Sequence, residues 1–205
     1  MFKSIKNLFG SKHSSSSPEV EAIFKKLHSF LDSDVDQNNR MPEPFRSQLA
    51  RGIDCDELPR ATGVFGWEPS NPIPSNGPLG EVLYLSRVRT PTGTPIMFHR
   101  IGTAQGPLGP VDAYDTLSLD GKLAQRFYLS MYHPRKSKLP PVGYSLSPKL
   151  DPHNFTYGVN HVVEAFPSKL DAHIRKWQME MLGLPLPVTR VREAINGDPH
   201  KPSML

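Results

Sequence analysis

The sequence predicts an α+β fold, an antiparallel sheet of about four strands flanked by N-terminal and C-terminal helices. Three observations predict it. Apolar residues recur at helical spacing near both ends, as Val20, Ile23, Phe24, Leu27 and Leu31 and again as Leu170, Ile174, Trp177 and Met181. The middle, 81–132, is rich in strand formers. Within it, Asp120-Gly121 separates two extended runs, the strongest local hairpin signal in the chain. Helices, then strands, then helices is the order of an α+β chain rather than of alternating β and α units.

Three segments follow. Residues 1–17 read as a basic amphipathic element, with Phe2, Ile5, Leu8 and Phe9 between lysines, ended by Gly10 and a flexible serine-rich linker. Residues 18–197 read as one domain, and 198–205 as a loose tail. The first domain helix spans about 18–32, with Ser17 as cap, Pro18 in the first turn, and Glu19 and Glu21 complementing the dipole. Asp32 to Arg40 is a polar run. A shorter helix spans about 43–51, with Phe45 and Leu49 inward and Gly52 at its end.

Residues 58–80 read as one long loop, because prolines at 69, 72, 74 and 78 suit neither sheet interiors nor helices. Phe65, Trp67 and Ile73 argue that this loop is ordered. Expected strands are 81–89, 95–101, 111–119 and 122–132. In the last, Leu123, Phe127, Leu129 and Met131 share the core face, and Lys122, Arg126, Tyr128 and Tyr132 share a partly wet one. Helices at about 168–182 and 187–196 complete the expected domain.

Composition narrows the function classes. With 205 residues the chain can bury a core without covalent staples, and 22 prolines with 15 glycines demand many turns. A single cysteine, Cys55, forms no internal disulfide, and its acidic neighbours Asp54, Asp56 and Glu57 oppose the thiolate. The net charge of +4 is local, since Lys3, Lys6 and Lys12 stand where the first 18 residues hold no acid. The remainder is nearly neutral, so no nucleic-acid partner is expected. No apolar h-region follows the N-terminus and no run approaches a membrane span, so a cytoplasmic chain is expected.

Catalytic motifs are absent in their required contexts. The eight histidines contain no HExxH or HxH, the glycines at 102–109 lack the context of a phosphate loop, and no GxSxG elbow appears. No cofactor or metal is therefore expected. His153 and His161, eight apart beside Asp151, form the weak metal candidate. His99 on a strand and His133 just after one, with Asp112, Asp115 or Asp120, are the acid–base candidates if the chain is an enzyme. Arg87, Arg89, Arg100 and Arg126 lie on expected strands and would form an anion-binding surface if their faces align, with Arg135, Lys136 and Lys138 beyond.

The expected function is that of a non-enzymatic binding or accessory protein that recognises a protein partner through a loop-rich surface, with Trp67 as its leading residue. Residues 2–9 would add a weak, reversible contact with a membrane surface, making the chain peripheral there. The alternative is an enzyme acting on an anionic small molecule through a His/Arg site on the sheet.

Overall fold

The computed structural model describes residues 25–26, 29–118, 122–148 and 203–204. Segments 1–24 and 149–202, with residues 119–121, lie outside it. The expected N-terminal element, the C-terminal helices, the Asp120-Gly121 turn and the His153/His161 pair therefore fall outside the described residues, as does most of the helix expected at 18–32. Its residues 25–26 and 29–32 are helical. Leu31 is buried against Leu83, with Phe30 and Leu79 packed around them.

The polar run after Leu31 is not a loop. Helix α1 (Asp34–Asn39) starts at Ser33, whose Oγ accepts the Asp36 N–H at 3.1 Å, and Asp34 and Asp36 complement its first turn. One polar residue of this helix, Gln37, is fully buried. Helix α2 (Phe45–Arg51) follows the expectation for 43–51, with Leu49 buried and Gly52 just beyond its end.

The loop expected at 58–80 supplies a strand, and its last residues, 77–80, are the first turn of a helix rather than loop. Strand β1 (Ile73–Pro74) runs parallel to β5 (Leu123–Ser130), pairing Ile73 with Leu129 and Pro74 with Ser130. Gly66 sits at φ +79°, and a Cβ there would lie 2.9 Å from Ile73 Cδ1, so only glycine lets the loop close over β1. The Gly66 carbonyl accepts the Tyr128 N–H at 2.9 Å, tying the loop to β5.

The strand expected at 81–89 is a helix, α3 (Gly77–Arg87); only its end, β2 (Val88–Arg89), is extended. Pro78 in the first turn and the break at Asn76 are helix-start signals that strand-forming residues downstream obscured. Glu81, Leu83, Tyr84, Leu85 and Ser86 are all buried. A helix buried on nearly every side shows no amphipathic period, so its apolar run cannot be told from a strand.

β3 (Ile96–Gly106) and β4 (Gly109–Ser118) complete a four-strand path, β1-β5-β4-β3, in a five-stranded sheet that is mixed rather than antiparallel because of the β1–β5 pair. β3 pairs antiparallel with β4, and β4 with β5, as the strand runs around Asp120-Gly121 imply. β7 (Ser203–Met204) pairs with the other end of β5, at Leu123 and Ala124. β2 pairs with β6 (Ser145–Leu146) in a separate ribbon.

Helix α3 lies on the sheet face that carries Phe98, Tyr114, Phe127 and Leu129. Tyr84, Leu85 and Val88 join these residues, Phe65 and Ile73 in the main core, and Trp67 packs against it half-buried. Phe127 and Leu129 are fully buried as expected, while Leu123 and Met131 are half-buried. The opposite face of β5 is drier than its sequence implied. Lys122 and Tyr132 are exposed, but Ala124 and Tyr128 are buried.

After β5 the chain turns through residues 131–141, and Lys136 enters the interior. Its Nζ bonds Asp34 Oδ1, Gln37 Oε1 at 3.0 Å and Asn76 Oδ1 at 3.5 Å. One amine thus joins α1, the start of α3 and the 131–141 segment. Lys136→Ala removes the donor shared by the buried Gln37 and Asn76 and the half-buried Asp34. Urea denaturation is expected to show a loss of about 3–5 kcal/mol, the usual result of removing one partner of a buried pair. A loss below about 1 kcal/mol, the range of an exposed pair, would contradict the central position given to this residue.

Candidate functional site

The four arginines expected to share a surface are distributed over four elements, and the two on the main sheet lie on opposite faces. Arg87 lies on α3, where its Nε donates to the Ser147 carbonyl at 2.8 Å. Arg89 Nη1 donates to the carbonyls of Ser86 and Val88. Arg100 stands opposite Tyr114, which stands opposite Phe127, so it belongs to the α3 face. Arg126 stands opposite Asp115, which stands opposite His99, so these three share the other face. Arg100 Nη2 donates to Asp112 Oδ1 at 2.7 Å, and Arg126 grips Asp115 through Nε at 2.7 Å and Nη2 at 3.2 Å. The basic run beyond β5 is likewise engaged. Arg135 bonds Asp54 and Asp56, and Lys136 is the buried clamp.

Of the acid–base candidates, His99 and Asp112 lie on opposite faces by register, and His133 lies at the far end of β5 beside Ile53. The three do not converge. Two of them instead enter separate polar groups.

The first group is buried under α3. Glu81, fully buried, accepts the Tyr114 hydroxyl at Oε2, 2.8 Å away. Its Oε1 has no donor partner. Burial pushes the Glu81 carboxyl well above its ordinary range, and the neighbouring Asp112 carboxylate pushes it the same way. The raised pKa favours the protonated Glu81 carboxyl, and a proton on Oε1 gives the orphaned oxygen a donor to offer. Asp112 in turn accepts the Arg100 guanidinium. Burial and the Glu81 carboxyl push the Tyr114 hydroxyl far above its ordinary value, so it stays a donor.

The second group lines a cleft of about 380 Å³. Its walls come from the end of α2 with Gly52, Ile53 and Leu58, from the β3–β4 hairpin tip at Leu108, and from the exit of β5. Gly52 permits the closest approach, since a Cβ there would lie 2.1 Å from the Tyr132 carbonyl oxygen. Ile53, Leu108 and Tyr132 expose 41%, 62% and 38% of their surface around this cleft. At its floor, His133 is buried, with Nδ1 2.8 Å from the Ile53 carbonyl oxygen and Nε2 3.0 Å from Ser130 Oγ. Burial lowers the His133 pKa, outweighing the Ile53 carbonyl, which raises it. The ring is therefore neutral at pH 7. A carbonyl only accepts, so Nδ1 carries the proton and Nε2 accepts the Ser130 hydroxyl.

The cleft and the Glu81 group were not read from the sequence, although His133 and Asp112 were. Ser130 carried one weak signal, a serine three residues before a histidine at a strand exit. Cys55 is partly buried, and burial leads in pushing its thiol up, reinforced by Asp56 and Asp54 and opposed by Arg135. Among the described residues, no three His, Cys, Asp or Glu side chains gather as a metal ion would require. No family model, curated protein or solved structure matches the chain.

The Glu81 group makes stability fall with pH. Its folded pKa is raised, so the native state holds a proton that the unfolded state releases above the ordinary glutamate range. The stabilising contribution is complete below the unfolded pKa and is lost as pH rises through the folded one. Glu81→Gln keeps an acceptor for Tyr114 and supplies a permanent donor toward Asp112. Relative to wild type, its stability is expected to improve as pH rises from 4.5, by about 1.4 kcal/mol per unit separating the two pKa values. Denaturation at pH 5 and pH 8 that shows no such divergence would mean Glu81 is ionised in the native state.

Proposed function

We propose that this chain is a binding or accessory protein that captures a partner in the cleft between the β3–β4 hairpin tip, the 52–58 segment and the exit of β5. The observation that carries the reading is the exposed apolar rim, Ile53, Leu108 and Tyr132, around a concave site of ligand size. A protein partner would place one apolar side chain between them, with the polar floor fixing its orientation.

This reading moves the recognition surface away from Trp67. Its ring packs on the main core beside Phe65 and Ile73, the position of a plug. The alternative reading, an enzyme using His99 or His133 with the arginines on an anionic small molecule, draws little support from arginines held by Asp112, Asp115 and backbone carbonyls. A cytoplasmic location, and a weak membrane contact through residues 2–9, belong to the same proposal. No described helix is long and apolar enough to cross a membrane.

Photo-crosslinking from two positions in cells tests the cleft. A cross-linker at Leu108 is expected to give a discrete adduct that a second change, Tyr132→Asp, removes. One at Val142, exposed but outside the cleft lining, is expected to give none. Equal labelling from both positions, or none from 108, would reject the cleft as the binding surface. Trp67→Ala is expected to lower stability by about 3–5 kcal/mol through lost packing while leaving the 108 adduct in place. Loss of the adduct with unchanged stability would return Trp67 to the binding surface.

A further inference from the structure

We propose that the cleft is also a site of acyl chemistry, with Ser130 as nucleophile and His133 as its base, acting on esters of short apolar acids. The inference rests on the cleft being the binding surface, and it departs from the sequence expectation of a non-enzymatic chain.

Three elements converge to build the pair. Ser130 ends β5, where its carbonyl accepts the backbone N–H and the hydroxyl of Ser75 at 2.8 and 3.2 Å. Its backbone is therefore held and its hydroxyl is left to His133. The Ser75 carbonyl accepts the His133 N–H at 3.1 Å, which turns the chain back so that residue 133 faces residue 130. The Ile53 carbonyl, 2.8 Å from Nδ1, selects the tautomer with a bare Nε2, and Nε2 meets Ser130 Oγ at 3.0 Å. A hydroxyl, a base within hydrogen-bond reach and a third group orienting that base are the parts of an activated nucleophile. Burial holds the imidazole neutral, as a base must be at pH 7.

The surroundings set the substrate class. Ile53, Leu58, Leu108 and Val111 line the cleft, and no Asp or Glu does. An apolar acyl group fits these walls, and Arg51 at the lining suits a polar or anionic remainder of the molecule.

The step balances without a cofactor. Ser130 Oγ attacks the ester carbonyl carbon and its proton passes to His133 Nε2. The new O–C bond forms as the bond to the leaving alcohol breaks, and Nε2 returns the proton to that alcohol's oxygen. Water then attacks the acyl-serine and gives one proton to Nε2. The acid leaves as Ser130 Oγ recovers that proton.

The test uses the full chain with two probes, p-nitrophenyl butyrate and a fluorophosphonate. Mass spectrometry is expected to place the phosphonyl adduct on Ser130 of the native protein. Ester hydrolysis is expected to rise with pH about a midpoint below the ordinary imidazole value of about 6.5. Ser130→Ala should abolish adduct and hydrolysis, and His133→Gln should slow both by about 100-fold or more. No Ser130 adduct on the native chain overturns the inference without appeal to any variant. So does hydrolysis that survives Ser130→Ala, or a rate with no imidazole midpoint. Cross-linking from position 108 in Ser130→Ala reports separately on the cleft. Its persistence beside a failed nucleophile leaves the binding reading intact, and its loss in otherwise folded protein removes both.

Discussion

The interaction on which the rest depends is the burial of the Lys136 amine. An ammonium removed from water needs acceptors on every proton, and burial lowers the Lys136 pKa even though the Asp34 carboxylate pushes it up. Asp34 supplies the charge; Gln37 and Asn76 supply the remaining oxygens. Those three residues come from α1 and from the residue before α3. A run as polar as Asp32 to Arg40 therefore becomes a helix docked on the core, with a fully buried glutamine on its inner side. Asn76 illustrates the competition. It stands at the cap of α3, yet its side chain makes no capping bond. Its amide instead donates to Gln37 Oε1 at 3.2 Å and Asn38 Oδ1 at 2.9 Å. The tertiary network takes the group that local helix chemistry would have used.

The cleft is the outer consequence of the same clamp. With Lys136 drawn inward, its neighbours turn toward the 52–58 segment. Arg135 reaches Asp54 at 2.6 Å and Asp56 at 2.5 Å, and Ser137 Oγ reaches the Asp56 carbonyl at 2.7 Å. These bonds hold residues 53–56 beside the exit of β5, which is where Ile53 must be to orient His133. The surface ion pairs add little stability themselves. Their effect is positional, since they fix which loop faces the histidine.

The sheet was legible in sequence where two-residue alternation met a clear turn. The strand runs around Asp120-Gly121 pair as their pattern implies, and Phe127 and Leu129 sit in the core. The mixed sheet was not legible, because β1 is a two-residue strand inside a proline-rich loop. Pro74 is tolerated there because it ends the strand beside Ser130. Helix α3 was missed for the opposite reason. Burial on nearly all sides erases the period by which a helix is recognised, and Glu81 then looked like the edge of a strand. Of the candidate site, His133 was visible as a histidine leaving the sheet. Its partners were not, because Ile53 contributes only a backbone oxygen and Ser130 belongs to a strand.

The Lys136 amine and the Glu81 carboxyl are both buried and are treated oppositely, and the contrast explains where chemistry can reside. Lys136 is given a carboxylate, which opposes the lowering of its pKa by burial, and two amide oxygens, so its atoms are committed to structure. Glu81 is given a tyrosine hydroxyl and a neighbouring acid that already serves Arg100, so its charge is suppressed instead. Neither borders the open cleft. His133 differs from both. It is buried and neutral, one nitrogen is satisfied by a carbonyl, and the other is turned toward a hydroxyl beside open space. Among these three buried titratable groups, only His133 couples an unprotonated lone pair to a site that a ligand can enter. That places reactivity at the exit of β5 rather than on the arginine-bearing faces of the sheet.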